Sequence, residues 1–277
     1  SMLMNPSRRK KPKTLNSPKA HIALGLSGGV DSATSAALLL SQGYRVTGVT
    51  CVFNDADAGT ASEKSSTIAA AESVCRVLGI DHVVYDVREV FREQVIAPFI
   101  TDCAQGLTPS PCVTCNRFCK IPVLCQAADE LGCEKIATGH YARVVEDTAF
   151  HWFALKRALD ETKDQTYMLS LLTQDQLSRL VLALGGYTKQ EVRQYALDQG
   201  IPVAKRPDSQ DLCFVAGGYR DFLVEQGIMD DPGPIITPDG EVVGTHHGIH
   251  HFTLGQRKGL GVALGEPYFV VDKDAQT

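Results

Sequence analysis

Short apolar segments alternate with longer amphipathic ones from His21 to Gln199. Four runs rich in apolar and β-branched residues are predicted strands: residues 21–25, 46–53, 82–87 and 135–138. Two stretches with apolar residues at helical spacing are predicted helices, 30–42 and 62–78, and a glycine follows each of them. Because strands and helices alternate, we predict an α/β fold with a doubly wound parallel sheet.

The sequence pattern changes toward the carboxyl end of the chain. Thr188 and Glu191 form a capping-box pattern that predicts a helix reaching Gln199. Beyond about Arg220, Gly- and Pro-rich turns replace the long helices, and Tyr268 to Asp272 is the last predicted strand. We therefore predict a tail over residues 1–20, a large α/β domain over 21–218 and a small domain with strands over 219–277.

Composition places the chain among ordinary globular proteins. It has 277 residues, of which 44% are hydrophobic and 21% charged, with a net charge of −5. No apolar run approaches the roughly 18 residues of a membrane-spanning helix, so we expect no membrane association. Ser1 precedes Met2 and is interpreted as an addition from cloning. The tail is rich in cations and lacks acids, which is typical of disorder and also suits an arm that touches phosphate: Arg8, Arg9, Lys10, Lys11, Lys13 and Lys19.

Cysteine usage indicates a reducing compartment. Nine cysteines in a chain of this length are too sparse for a secreted disulfide scaffold, so we expect the protein to be cytoplasmic. Five of them lie in apolar or helical surroundings and are predicted to act as small core residues: Cys51, Cys75, Cys103, Cys125 and Cys133. Cys112, Cys115 and Cys119 are closely spaced, and Cys213 stands apart.

The clearest chemical signal is the glycine-rich segment between the first strand and the first helix. It consists of Gly25, Leu26, Ser27, Gly28, Gly29, Val30, Asp31 and Ser32. Glycines let the backbone turn tightly, and the helix that follows directs unpaired N–H groups at the turn, so we predict a phosphate site. Asp31 is unusual beside an anion, and its expected role is to hold a Mg²⁺ ion that bridges the phosphates.

This segment resembles the pyrophosphate loop of the ATP pyrophosphatase superfamily. Five further motifs narrow the resemblance to the bacterial tRNA-specific 2-thiouridylases: residues 108–116, 137–141, 163–167, 208–214 and 254–261. The resemblance implies a Rossmann-like, adenine nucleotide alpha-hydrolase-like fold over 21–218, and an enzyme that adenylylates C2 of the wobble uridine U34 with ATP. The oxygen is then replaced by sulfur. Gly139 and Cys51 are implied nucleotide-site residues beside the loop.

The resemblance also assigns tasks to two cysteines. Cys213 would receive a sulfane sulfur as a persulfide and deliver it, and Cys115 would resolve that persulfide by forming a disulfide with Cys213. A persulfide-carrying donor protein would supply the sulfur. Nearby cations favour the thiolate form that such chemistry needs, and the candidates are Arg117, Lys120 and Lys205.

Residues on the tRNA side follow from the same resemblance. They are Ser110, Pro111, Cys112, His140, Lys163, Asp164 and Gln165. The implied substrates are the tRNAs for Lys, Glu and Gln, whose wobble base is unpaired and can be extruded toward an enzyme. Relatives continue into a C-terminal β-barrel, which this sequence is expected to lack.

Other functions stay open at this point. Cys112, Cys115 and Cys119 suit a structural zinc site if Cys213 completes it. Many relatives carry Asp at the position of Cys112, so Cys112, Cys115 and Cys213 are also candidate ligands of a [4Fe-4S] cluster in a cluster-dependent thiolase. An adenylylating ligase without sulfur chemistry would need Asp31 but neither Cys115 nor Cys213, and a non-catalytic tRNA- or metal-binding module would release no pyrophosphate.

Overall fold

The computed structural model describes residues 19–59, 66–208, 212–215, 219–262 and 265–274. Within these ranges the strands are β1 (Lys19–Gly25), β2 (Tyr44–Val52), β3 (His82–Asp86), β4 (Lys135–Thr138), β5 (Arg143–Asp147), β6 (Trp152–Lys156), β7 (Leu180–Leu182), β8 (Gly233–Ile236) and β9 (Val242–His246).

Helices separate most of these strands. They are α1 (Val30–Ser41), α2 (Asp55–Ala58), α3 (Ser66–Leu78), α4 (Arg88–Phe91), α5 (Ala97–Ala104), α6 (Pro111–Cys115), α7 (Ile121–Glu130), α8 (Gln174–Arg179), α9 (Lys189–Asp198) and α10 (Tyr219–Glu225). A π-helical turn, Arg92–Ile96, joins α4 to α5, and a second one, Asn116–Lys120, joins α6 to α7. Two 3₁₀ turns lie at Thr166–Leu169 and Ile249–His251.

Five parallel strands form the main sheet in the order β3-β2-β1-β4-β7. The chain leaves β1 toward β2 on one side and later returns on the other side as β4. The connections after β1 and β4 therefore diverge and leave a crevice at the carboxyl ends of these two strands. In sheets of this kind ligands bind at that position.

The central strand is buried on both faces, which explains why the sheet is doubly wound. Ile22 and Leu24 pack on one face against Leu39 of α1, whereas Ala23 packs on the other face against Leu124 of α7. Alternate residues of a strand point to opposite faces, and both faces here are covered by helices.

The structure confirms most of the predicted elements. The strands predicted at 21–25, 46–53, 82–87 and 135–138 correspond to β1 to β4, and α1 ends before Gly43 with a φ of +90°. The helix predicted from residue 62 is described from Ser66 onward, because residues 60–65 lie outside the described ranges. Both parts of the capping box are present at Thr188 and Glu191.

Two features differ from the sequence-based prediction. The β5–β6 hairpin was not predicted, because it is short, largely exposed and inserted between parallel strands. The strand predicted at Tyr268 to Asp272 is wrong: this segment joins no sheet in the described residues. Val270 accepts from the amide of Gly255 at 2.7 Å and donates to the carbonyl of Gln256 at 3.0 Å, so two hydrogen bonds take the place of a ladder.

The β8–β9 hairpin marks the small second unit with strands that the sequence predicts beyond Arg220. None of the helices in the described part of the chain combines the length and the apolar character that crossing a membrane requires.

We expect Thr188→Ala to destabilise the fold through α9. The Thr188 hydroxyl accepts from the Glu191 amide at 3.2 Å, and the Glu191 carboxylate accepts from the Thr188 amide at 2.7 Å. Loss of such a cap costs about 1 kcal/mol. The free energy of unfolding from urea titration measures the change. Thr188→Ser keeps the capping oxygen and is the control, and equal stability of both variants would contradict this role of the cap.

Candidate active site

The loop after β1 is shaped by glycine and held to its surroundings by the backbone. Leu26 extends the strand pairing, since its amide donates to the Val49 carbonyl at 2.8 Å. Gly28 has a φ of +73°, and its carbonyl accepts from Arg206 Nη1 at 2.8 Å. A Cβ at Gly28 would lie 3.0 Å from the Thr67 carbonyl oxygen, so this position needs glycine for space as well as for conformation.

The first turn of α1 is available to an anion. Gly29 is the residue before the helix and supplies no side-chain cap, so the amides of the first turn keep their hydrogen-bonding capacity. Ser32 is buried and its hydroxyl accepts from the Ser27 amide at 3.2 Å and contacts the Ser27 hydroxyl at 3.3 Å. Ser27 itself is exposed, while Leu26 and Val30 are buried beneath the loop. The arrangement suits a phosphate at the helix N-terminus.

Asp31 projects from this turn into a network of ionised side chains. Lys189 Nζ lies 2.6 Å from Asp31 Oδ1 and 2.8 Å from Oδ2, and the Tyr141 hydroxyl donates to Oδ1 at 2.8 Å. Lys189 is also 2.8 Å from Asp208 Oδ1, and its side chain is only 11% exposed. A nearly buried ammonium between two carboxylates fixes the loop relative to α9.

Asp208 joins further cations to this network. Arg193 Nη2 lies 2.6 Å and Lys163 Nζ 3.5 Å from the Asp208 carboxylate. Burial by itself raises the pKa of Asp208, but the hydrogen bond and charge of Lys189, with the charges of Arg193 and Lys163, lower that pKa overall. Three cations therefore surround Asp208 close to the glycine-rich loop, and one of them, Lys189, is shared with Asp31.

The same network bears on the Mg²⁺ that the sequence predicts at Asp31. Both oxygens of Asp31 already accept from Lys189, and one of them also accepts from Tyr141. A cation would have to displace the Lys189 ammonium from at least one oxygen. The carboxylate thus does not present a ready Mg²⁺ site as it is placed here.

Gly139 closes the crevice from the side of β4. A Cβ at this position would lie 2.7 Å from the Ser32 amide nitrogen and 3.0 Å from the carbonyl carbon of Asp31. The end of β4 therefore packs directly on the backbone of the first turn of α1. This contact explains a glycine at the position, and it places Gly139 beside the loop, as the sequence predicts.

His140 is buried next to this contact, with 9% of its surface exposed. Its Nδ1 lies 2.7 Å from the Thr138 hydroxyl, and its Nε2 lies 3.4 Å from Asn116 Nδ2. Burial, with a smaller contribution from the charge of Lys120, lowers the pKa of His140 to about 3, so the ring is neutral. In this structure His140 links β4 to the helix that carries the thiols, and a direct contact with tRNA stays a prediction.

Cys115 is a thiol whose pKa is lowered by its surroundings. It is buried at the end of α6, and the Cys119 thiol in the following π-helical turn donates a hydrogen bond to its sulfur. This hydrogen bond and the charge of Lys120 outweigh burial and lower the pKa of Cys115 to about 7. The same interaction raises the pKa of Cys119. Cys115 is therefore the more acidic of the two neighbouring thiols.

Lys120 is the cation around which the thiols gather. Burial lowers its pKa, but the charges of Cys115, Cys213, Cys51 and Cys112 more than offset this and raise the pKa overall. Of the three cations that the sequence offers, Lys120 is therefore the one that stabilises the thiolate. The same electrostatic environment contains Cys115 and Cys213, which are far apart in sequence.

Cys213 is held in place through its neighbours. Asn54 Nδ2 donates to the Cys213 carbonyl oxygen at 3.1 Å. The ring of Phe214 lies 5.7 Å from Phe91 and 5.3 Å from Phe99 between ring centroids, in edge-to-face arrangements. The Cys213 side chain itself is exposed. The motif residues Ser209, Gln210 and Asp211 lie outside the described residues.

The remaining thiols near Lys120 are less reactive. Burial raises the pKa of Cys112, and it raises the pKa of Cys51 to about 11. Both are half-buried, and Cys51 packs at the end of β2 against apolar residues of two neighbouring core clusters. This environment agrees with a core role for Cys51, and its contact with a nucleotide stays a prediction.

The zinc alternative has no geometric support in the described residues. Ligand sulfurs of a tetrahedral zinc site lie about 4 Å apart, given Zn–S bonds of about 2.3 Å. Among the described residues, a group of three side chains with ligand atoms within 4.8 Å of one another occurs once, and it contains no cysteine. Cys112, Cys115, Cys119 and Cys213 thus do not form a compact site here.

The residues expected to face tRNA occupy two loops. Ser110 is exposed and Pro111 buried at the start of α6, so this loop leads directly to Cys112 and Cys115. Lys163, Asp164 and Gln165 belong to the second loop: Lys163 is half-exposed, Asp164 accepts from the Ala158 amide at 2.8 Å, and Gln165 Oε1 accepts from the Tyr141 amide at 3.0 Å.

Three residues of the site were not predicted as such. Lys189 lies in the first turn of α9, where the helix dipole disfavours a cation. This unfavourable position is the sequence signal that indicates a role for Lys189 in the site. Arg193 has no local sequence signal, because long-range packing brings it to the loop. Asp208 opens the motif at residues 208–214, but that motif does not predict its pairing with Lys189.

Comparison with known proteins gives consistent matches along the chain. The family model described as tRNA methyl transferase HUP domain matches residues 20–217, and that described as tRNA methyl transferase PRC-barrel domain matches residues 220–277. The tRNA-specific 2-thiouridylase MnmA of Heliobacterium modesticaldum is 44% identical over 265 residues, which cover 93% of this chain and 69% of that protein. The tRNA-specific 2-thiouridylase MnmA of Treponema denticola is 44% identical over 261 residues, which cover 92% of this chain and 71% of that protein.

Solved structures resemble the chain more distantly. The U34-tRNA thiolase NcsA from Methanococcus maripaludis with its [4Fe-4S] cluster is 16% identical, with a TM-score of 0.44, over 76% of this chain and 64% of that one.

We expect Gly139→Ala to destabilise the protein by about 1–3 kcal/mol and to weaken nucleotide binding. The added methyl group would meet the backbone of Asp31 and Ser32, which has no flexible end that can give way. Urea unfolding and ATP titration measure the two effects. Gly186→Ala is the matched control, because a Cβ at Gly186 meets no atom within 4 Å. Equal behaviour of the two variants would contradict the packing role of Gly139.

We expect Cys119→Ala to raise the pKa of Cys115 from about 7 toward the ordinary range of a thiol. At pH 7 the thiolate fraction then falls, so alkylation of Cys115 should slow by at least about tenfold. The rate of alkylation against pH, followed by peptide mass spectrometry, reports the midpoint. Cys119→Ser retains a hydrogen-bond donor and should keep the midpoint low. An unchanged midpoint in Cys119→Ala would refute the role of this donor.

Proposed function

Since this chain belongs to the tRNA-specific 2-thiouridylase family, we propose that it activates U34 of a tRNA with ATP and replaces the C2 oxygen by sulfur carried on Cys213. The observation that carries the proposal is that Cys115 and Cys213, which are far apart in sequence, both lie near Lys120. Sulfur transfer needs a nucleophilic thiolate and a second thiol beside it, and an adenylylating ligase has no use for either.

ATP would bind with its phosphates at the first turn of α1. The amides after Gly29 point at the phosphates, while Arg206 and Lys189 hold the loop in shape from either side. Attack of the uridine O2 on the α-phosphorus releases pyrophosphate and leaves an adenylylated oxygen at C2. That oxygen departs with AMP in the next step. Mg²⁺ would accompany the ATP phosphates, and Asp31 is not assigned to it because Lys189 and Tyr141 occupy its oxygens.

In the sulfur steps, Cys213 carries the sulfur and Cys115 releases it. The terminal sulfur of a Cys213 persulfide attacks C2, and the C–O bond to AMP breaks with its electron pair on AMP. The Cys115 thiolate then attacks Cys213 Sγ, and the S–S bond to the transferred sulfur breaks. That sulfur keeps the electron pair and becomes the thiocarbonyl, while Cys115 and Cys213 are oxidised to a disulfide. An external thiol reduces the disulfide before the next cycle.

The tRNA would present its wobble uridine extruded from the anticodon loop. Ser110 at the exposed start of α6 and Lys163 in the second loop are the residues we assign to this contact, together with Pro111, Cys112, His140, Asp164 and Gln165. We propose the tRNAs for Lys, Glu and Gln as substrates and a persulfide-carrying protein as the sulfur source. The cytoplasm supplies the tRNA and keeps the thiols reduced.

A cluster-dependent thiolase is the alternative, with Cys112, Cys115 and Cys213 as ligands of a [4Fe-4S] cluster. Cluster ligands are thiolates. This alternative needs Cys112 as a third ligand, whereas the persulfide sequence needs only Cys115 and Cys213.

We expect Cys115→Ser and Cys213→Ser each to abolish thiolation while pyrophosphate release on mixing with ATP and tRNA continues. Both cysteines act after adenylylation in the proposed sequence, so only the later steps are lost. Mass spectrometry of nucleosides from the anticodon loop measures oxygen-to-sulfur exchange, and a phosphate assay measures pyrophosphate. Cys125→Ala, which changes a thiol outside the site, is the matched control and should leave thiolation unchanged.

The same assay separates the alternatives. Cys112→Ser should retain thiolation to within a few-fold if Cys213 carries a persulfide, and should abolish it if a cluster is bound. Unchanged thiolation in Cys115→Ser or Cys213→Ser would overturn the sulfur-transfer proposal. Loss of pyrophosphate release in these two variants would place the cysteines before adenylylation and contradict the order of steps.

A further inference from the structure

A cluster of side chains that can act as metal ligands lies in the small unit, apart from the thiols. Asp230 follows α10, and His250 and His251 form the 3₁₀ turn after β9. Ligand atoms from these three residues all lie within 4.8 Å of one another. His251 Nε2 is 2.6 Å from Asp230 Oδ1, and His250 Nε2 is 3.6 Å from the same oxygen. Three donors thus converge from segments about 20 residues apart, and a bound ion would replace the hydrogen bond between His251 and Asp230.

His250 lacks the partner that burial normally demands. Its exposed fraction is 5%, and its Nε2 has no hydrogen-bond partner among the described residues. The distance of 3.6 Å to Asp230 exceeds that of a hydrogen bond. Buried polar atoms in folded proteins are almost always satisfied by protein, water or a bound ion. The unpartnered His250 Nε2 faces the Asp230 carboxylate, and this position suits a cation.

The cluster borders a cleft with room for a further ligand. The cleft has a volume of about 370 Å³ and is lined by His250, His246, Asp231, Gly233 and Ile249, among others. The lining ring of His246 has a buried Nδ1 that also has no hydrogen-bond partner in the described part of the chain. A metal ion held on the protein side would keep one position open toward this space.

We propose that Asp230, His250 and His251 bind a divalent first-row transition-metal ion, Zn²⁺, with the fourth position occupied by water from the cleft. Two imidazoles and one carboxylate match the ligand preference of Zn²⁺, and an open fourth position is usual when the protein supplies three ligands. The ion would join the segment after α10 to the turn after β9.

The site also bears on the thiol region through packing. Ile249, beside His250, packs against Gly106, where a Cβ would lie 2.4 Å from Ile249 Cδ1. Gly106 ends the turn after α5, four residues before Ser110 and the helix that carries Cys115. A metal ion that fixes the 3₁₀ turn would therefore also fix the support of that loop.

Metal binding by the full chain tests the proposal. The reduced protein is stripped with a chelator and titrated with Co²⁺, and Zn²⁺ affinity follows from competition with a chromophoric chelator. We expect one equivalent of Co²⁺ whose absorption lacks the thiolate-to-cobalt charge-transfer band, because the ligands are nitrogen and oxygen. Asp230→Asn and His250→Ala should each weaken binding by at least about tenfold, since loss of even an outer-shell partner costs that much.

His247→Ala is the matched control, because His247 is an exposed histidine next to the cluster and should bind metal as the unchanged chain does. Asp230 is 52% exposed, so Asp230→Asn tests the site even if His250→Ala does not fold. Failure to bind any such equivalent would overturn the proposal. So would equal affinity in Asp230→Asn and the unchanged chain, or a thiolate band that accounts for all the bound cobalt.

Discussion

The double burial of β1 is the constraint on which the rest of the molecule depends. This strand pairs in parallel with β2 on one side and β4 on the other, and its alternate residues fill both cores. A strand so enclosed can end only at the crevice between its two neighbours, and there the chain must turn at once into α1. The glycine-rich loop, the helix N-terminus without a side-chain cap and the packing of Gly139 on Ser32 all follow from this geometry.

Charge organises the site in two separate ways. On the nucleotide side, Lys189 neutralises the carboxylates of Asp31 and Asp208, and this compensation fixes the loop without leaving an unpaired buried charge. On the sulfur side, Lys120 stays cationic in spite of burial because thiols surround it, and this favours ionisation of Cys115. Lys189 therefore stabilises the loop, whereas Lys120 lowers the pKa of Cys115.

Most of the large domain could be predicted from the sequence because its signals are local. The strands β1 to β4, the helix after the glycine-rich loop and the cap at Thr188 each depend on residues a few positions apart. The β5–β6 hairpin lacked a strong pattern because it is exposed, and the strand expected at Tyr268 lacked a partner to pair with. Lys189, Asp208 and the hydrogen bond from Cys119 to Cys115 depend on packing between distant segments, which no local pattern encodes.

Phe214 and Cys213 are adjacent residues with opposite surroundings. The Phe214 ring is wedged among other aromatic rings, whereas the neighbouring side chain of Cys213 faces solvent. In the sulfur transfer proposed above, a donor would therefore reach Cys213 without separating the aromatic rings. Packing of Phe214 would hold the Cys213 segment in place while its thiol stays accessible.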